Sequence, residues 1–221
     1  MDRVRFHFDP ICPWCFQTSR WAKRLEQLGE LELDWGLFSL EVVNLREGSD
    51  PVELQARSGP ALRTAILIGE RNGSNAIGPF YSALGKRIWE QSPPEPDMAT
   101  AVRAALAEVG LDPGWCDEAL SDPRTWVAVL DQHRRLVDRT RSFGVPTLVL
   151  DGGNGPAIFG PVISAMPSDD DAVELWRHVS WLARHENFSE LKRDRTNPPA
   201  LPAMDWYRQQ REAARSAAGS S

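Results

Sequence analysis

The stretch Phe8-Asp9-Pro10-Ile11-Cys12-Pro13-Trp14-Cys15-Phe16, residues 8–16, decides how this chain is read. It holds two of the three cysteines, three positions apart, with proline and tryptophan between them. On its N-terminal side Val4-Arg5-Phe6-His7-Phe8 alternates and reads as a strand, which Asp9-Pro10 breaks. On its C-terminal side the period becomes helical from Pro13 to about Leu28. Phe16, Trp21, Leu25 and Leu28 fall on one stripe, and Gly29 ends it. Leu31, Leu33, Trp35 and Leu37 alternate again. Strand, helix and strand within about 37 residues make a βαβ unit, with the cysteine pair at its first strand-to-helix junction.

The remaining organisation follows from punctuation. From about Asn44 to Thr140 helical pieces are separated by Gly59-Pro60, Gly73, Gly78-Pro79, the Pro93-Pro94-Glu95-Pro96 loop, Pro113-Gly114 and Asp122-Pro123. Gly144-Val145-Pro146 then leads into Thr147-Leu148-Val149-Leu150. A glycine-rich turn and Ala157-Ile158-Phe159-Gly160 complete a hairpin. Ser168, followed by three aspartates, opens a helix to about His185. Without the middle block the order is βαβ-ββα. The expectation is an α/β thioredoxin fold made of residues 1–43 and 141–200, with residues 44–140 an inserted α-helical subdomain. Residues 201–221 are expected to form a C-terminal tail with a disordered end.

Bulk properties remove several function classes. The net charge of −6 gives nucleic-acid binding no electrostatic footprint, and Leu191-Lys192-Arg193-Asp194-Arg195 reads as a solvated face. No run of about 18 apolar residues offers a membrane span. The opening MDRVRFHFDP has no signal-peptide pattern, so the expected location is the cytoplasm. There, thiols are kept reduced, and a close cysteine pair is catalytic or metal-binding more often than structural.

Pro13 suits the first helical position, which makes Cys12 the N-cap. Free backbone N–H groups and the helix dipole then favour thiolate. Comparable CxxC thiols fall from about 8.5 to about 3.5–7. Cys12 is therefore the expected attacking sulfur and Cys15 the more buried resolving one. Zinc would need about four ligands, and one CxxC supplies two. Cys116 stands alone, His7, His133, His178 and His185 are scattered, and no metal site is expected. Two idle packed cysteines are the other bland reading; the junction position favours a working dithiol. Pro13, Trp14 and Pro146 are the candidate tuning residues. If the thioredoxin order holds, Pro146, before the third strand, is expected to be cis with its loop against the dithiol; an ordinary trans proline opening a strand is the bland alternative. Val145 and Thr147, on either side of Pro146, are candidate substrate contacts, Val145 through its backbone. Trp21 and Trp89 are candidate pocket walls. No flavin or nicotinamide motif is visible, because the CxxC occupies the junction where GxGxxG would sit.

These residues resemble the DsbA superfamily: thioredoxin fold, inserted α-helical subdomain, CxxC and cis-proline loop. More closely, the chain is similar to the cytosolic actinobacterial mycothiol-dependent nitroreductases and reductases. The likeness lies in Phe8–Cys15 with Thr18-Ser19-Arg20-Trp21, Ser39-Leu40, Tyr81–Ile88, Phe159-Gly160-Pro161-Val162 and Glu190–Pro199. It implies thiol-disulfide oxidoreduction by Cys12 and Cys15, with mycothiol as a small thiol co-substrate and no tightly bound cofactor. The partners it implies are an electrophilic or disulfide substrate and a mycoredoxin-like protein. Asn44 matches an asparagine after the second strand, a further candidate substrate contact. Trp89 stands where the family pattern has histidine, which bears on substrate choice. The competing readings are a glutathione-type isomerase of the hydroxychromene carboxylate kind, which typically has serine at the first motif position, and a non-enzymatic redox-switched binding or chaperone module.

Overall fold

The computed structural model of the chain describes residues 1–218. Strands β1 (Asp2–Phe8), β2 (Leu31–Leu37), β3 (Thr147–Val149) and β4 (Ala157–Phe159) form one sheet, ordered β2-β1-β3-β4. β1 and β2 run parallel, with Phe8 opposite Leu37. β3 is antiparallel to β1 and β4 antiparallel to β3, so Leu148 faces Phe6 on one side and Ile158 on the other. A parallel pair needs a crossover, and α1 (Pro13–Gln27) supplies it. Gly29, at φ +76, turns the chain from α1 back to the sheet. With the late helix Asp169–Arg184, the order is βαβ-ββα, the thioredoxin arrangement.

Between Leu40 and Thr140 the chain is helical: α2 (Leu40–Val43), α3 (Gly59–Asn72), α4 (Ile77–Gly85), α5 (Met98–Glu108), α6 (Trp115–Ser121) and α7 (Pro123–Thr140). Ser39, Asp97 and Asp122 cap α2, α5 and α7 through their side-chain oxygens. α4 runs on into a single wide π-turn, Lys86–Glu90. α7 lies along the free edge of β2. Its Gln132 accepts the Leu37 N–H at 3.2 Å, and Nδ1 of its His133 accepts the Ser39 N–H at 3.2 Å. Burial pushes His133 down to about 4, in keeping with an acceptor nitrogen.

These helices share one core with the sheet. Tyr81 of α4 stacks on Phe8 at 4.0 Å and meets Phe16 and Trp35 edge-on at 6.0 and 5.7 Å. Such pairs contribute about 0.5–1.5 kcal/mol each beyond area burial. The contact is close because Gly85 has no side chain: a Cβ there would fall inside the Phe16 ring.

Three boundaries differ from the sequence reading. β3 ends at Val149 and Leu150 starts a tight turn, with Asp151, Gly152 and Gly153 all at positive φ. β4 ends at Phe159, before Gly160 at φ +95. The third concerns the expected tail. α8 (Asp169–Arg184) is followed by an irregular segment, and then Pro202–Ala218 forms α9, with Leu201 and Ala203 buried at its start. Its Arg/Ala/Gln-rich sequence is made of strong helix formers, which a composition-based reading took for a tail. The disorder expected at the end falls mainly on residues 219–221, outside the described residues. Among the described residues, no helix is long and apolar enough to cross a membrane.

Gly85→Ala forces α4 away from Phe16. Overpacking of this kind costs about 1–3 kcal/mol, and urea denaturation should show a loss in that range. A loss under about 0.5 kcal/mol would mean the aromatic cluster yields freely.

Candidate active site

Cys12 is the N-cap of α1, with extended φ/ψ of −93° and 107° and Pro13 at the next position. Its Sγ accepts the Cys15 N–H at 3.4 Å and lies 3.7 Å from the Val145 carbonyl, to which the thiol donates. Val145-Pro146 is a cis peptide. Cys15 is fully buried, and its thiol donates to the His7 carbonyl at 3.8 Å. Cys12 retains 8% of its surface and Cys15 none, so Cys12 is the less deeply buried of the two.

The expected thiolate is corrected by burial. In the dithiol form desolvation outweighs the helix-terminal N–H groups, and Cys12 is pushed up to about 11; burial also holds Cys15 well above the ordinary thiol range. Two neighbours act on Cys12 in opposite senses: the negative charge of Asp9 raises it and the guanidinium of Arg195 lowers it.

Asp9 entered the sequence reading only as a strand breaker. It is completely buried, and its two oxygens accept from Ile11 N–H at 3.1 Å and Leu40 N–H at 2.7 Å. Burial pushes its carboxyl up to about 7, against these hydrogen bonds. A signal was present: this acid directly follows a buried strand and precedes Pro10 and Ile11, with no basic residue between it and the cysteines. Tyr81 is also fully buried, and its hydroxyl is directed at the Cys15 thiol, where hydrogen bonding to the sulfur works against the effect of burial.

The other candidates divide. Trp14 is half-buried, packed against the core, with the Arg195 guanidinium 5.4 Å above its ring. Trp89 braces the dithiol loop: its Nε1 donates to the Pro10 carbonyl at 3.0 Å. Trp21 lines no pocket. It is fully buried, donates to the Ala172 carbonyl at 3.2 Å and meets Trp176 edge-on, which locks α1 to α8. Thr147 is likewise turned inward, with its hydroxyl on the Gly144 carbonyl at 2.8 Å. The Asn44 amide is exposed and turned back onto the Leu40 carbonyl of α2. Val145 is 4% exposed, and its carbonyl already receives the Cys12 thiol. Cys116 sits on α6 against the Ala99 carbonyl. Among the described residues, no three His, Cys, Asp or Glu side chains converge as a metal-binding set.

Removing the charge at Asp9 should ease ionisation of Cys12. The pH profile of Cys12 alkylation by iodoacetamide should keep rising through pH 9 in the wild type and shift to lower pH in Asp9→Asn. Coincident profiles would show that the carboxylate does not act on the thiol.

A family model described as Rv2466c-like, mycothiol-dependent nitroreductase Rv2466c, matches residues 11–193. The uncharacterized protein Rv2286c of Mycobacterium tuberculosis is 35% identical over 218 residues, covering 93% of this chain and 92% of that protein. Among solved structures, the cytosolic disulfide reductase DsbM of Pseudomonas aeruginosa superposes with a TM-score of 0.56 at 17% identity, over 81% of this chain and 99% of that one. A 2-hydroxychromene-2-carboxylate isomerase gives a TM-score of 0.56 at 18% identity, over 82% and 96% of the two chains. At these identities the two structures share the fold with this chain, whereas the family match spans the dithiol and most of the sequence. This chain belongs to the Rv2466c-like family, the family of the mycothiol-dependent nitroreductase Rv2466c.

Proposed function

We propose that the protein is a cytoplasmic thiol-disulfide oxidoreductase that reduces small disulfides or nitro compounds and is recharged by mycothiol, with or without a mycoredoxin-like partner. The observation that carries this reading is the Cys12–Cys15 pair: Cys12 nearly buried as the N-cap of α1, and Cys15 fully buried one helical turn behind it. The division into a thioredoxin-like module of residues 1–43 and 141–200 and a helical insert of residues 44–140 belongs to the same reading.

Cys12 gives up its proton and attacks one sulfur of a disulfide; the S–S bond breaks and one thiolate leaves. Cys15 then loses its proton and attacks the Cys12 sulfur, and the second thiolate leaves. The sum is one dithiol plus one disulfide giving the protein disulfide and two thiols. With a nitro group the same two electrons and two protons give the nitroso compound and water. On ionisation Cys12 no longer donates to the Val145 carbonyl, which frees that carbonyl for a substrate N–H in extended conformation.

The raised thiols support a reductant. DsbA is a strong oxidant because its reduced form is stabilised, with a thiol at about 3.5. Here burial withholds that stabilisation from the reduced form, since Cys12 sits near 11. Cysteine at both positions 12 and 15 argues against the isomerase chemistry that the shared fold brings to mind.

Equilibration in thiol redox buffers, read by mass spectrometry, should place the Cys12–Cys15 couple near or below about −270 mV, at the thioredoxin end of the scale. Cys12→Ser should abolish the couple, and Cys15→Ser should trap a mixed disulfide at Cys12. A value near −120 mV would overturn the reductase reading.

A further inference from the structure

After α8 the chain runs as an irregular, largely exposed segment, residues 188–198, before Pro199 and Leu201 bury themselves ahead of α9. Its far end is fixed: the Ala200 N–H donates to the Ser164 carbonyl at 2.7 Å, and the Ser164 hydroxyl donates to the Asn197 carbonyl at 3.2 Å. Arg195 lies on this segment and places its guanidinium 5.4 Å over the Trp14 ring, between the two cysteines in sequence. Its charge reaches the Cys12 sulfur.

Other arginines near α1 are committed. Arg20 pairs with Glu90 at 3.3 Å and Arg24 with Asp169 at 2.5 Å. Arg195 takes part in no ion pair among the described residues, and its contact is the tryptophan face beneath it. A guanidinium held over an aromatic face by cation–π attraction keeps N–H donors available, and the guanidinium fork matches a carboxylate in bidentate fashion.

We propose that Arg195 is the anion-recognition residue of this site, holding a carboxylate of the substrate while the substrate's reacting sulfur or nitro group lies over Cys12. The preferred substrates are then small disulfides or nitroaromatics that carry a carboxylate within a few bonds of the reacting atom. This rests on the dithiol-reductase reading and adds its substrate class. Trp14 supplies the ring on which both the guanidinium and an aromatic substrate can stack. The anion also lowers the net positive charge beside Cys12 after binding, so the gain lies in capture and orientation rather than in further activation of the thiol.

The test compares two aromatic disulfides under single-turnover conditions at pH 7: 5,5′-dithiobis(2-nitrobenzoate), which carries carboxylates, and the neutral 2,2′-dithiodipyridine. Both consume the same dithiol and release two thiols. Arg195→Gln should slow both reactions through Cys12 and should slow the dicarboxylate reaction by a further factor of about ten or more, the size of one charge-assisted hydrogen-bonded contact. Arg195→Lys should recover part of that extra factor, since it keeps the charge and loses the fork. Added salt should narrow the preference in the wild type and leave Arg195→Gln little changed. Equal losses on the two disulfides, or no loss on either, would overturn the inference while leaving the reductase reading standing. A wild-type protein that reduced neither disulfide would overturn both.

Discussion

The carboxylate of Asp9 ties together the two places where the chain leaves the sheet. One oxygen holds the Ile11 N–H, just after β1; the other holds the Leu40 N–H, just after β2. A buried carboxylate costs several kcal/mol unless its oxygens are hydrogen-bonded, so the two amides and the acid fix one another. The dithiol loop on one side and the first helix of the insert on the other are thereby held in one geometry. The Asp9 carbonyl continues the tie, accepting the Cys12 N–H at 3.1 Å and setting the N-cap conformation. Ser39 then caps α2, and His133 of α7 receives the Ser39 N–H, so the same junction anchors the longest helix of the insert.

From that junction the insert closes over the site. α4 brings Tyr81 onto Phe8 and Phe16, next to Cys15, and its π-turn brings Trp89 to the Pro10 carbonyl. The dithiol is thus met from three parts of the chain: the cis-proline loop through the Val145 carbonyl, the helical region through Tyr81 and Trp89, and Arg195 through Trp14. Both cysteines are buried, and the Arg195 charge works on the Cys12 thiol against the desolvation they share.

The sequence told the fold well because the signals were local. Alternation in β1 and β2, the Pro13 helix start and the Gly/Pro boundaries each act within a few residues. The α9 helix escaped because its polar, Arg/Ala/Gln-rich composition after a proline-rich stretch resembles a tail, although its residues are helix formers and Leu201 and Ala203 hold its start. In the site, the cysteines and Pro146 were legible as a motif, while Trp21 and Thr147 were misplaced. A tryptophan near a CxxC looks the same in sequence whether it faces a pocket or, as here, another helix. Asp9, Tyr81 and Arg195 depend on burial and on contacts 70 or more residues away in two of the three cases, which no short window records. The ionisation of Cys12 was read with the wrong sign for the same reason: the helix terminus is visible in sequence and desolvation is not.

The burial of Asp9 also has a thermodynamic side. Most carboxylates of a folded protein are more acidic than in the unfolded chain and lend stability as pH rises. Asp9 is the reverse, with a folded value of about 7 against about 3.9 when the chain is open. Between those values the native state binds a proton that the unfolded chain has released, so this group's contribution to stability falls as pH climbs from about 4 to about 7. At neutral pH the protein carries a partly ionised acid in its interior beside its reactive sulfur. The tie that holds the two sheet exits is therefore one whose stabilising share weakens as the solution approaches neutrality.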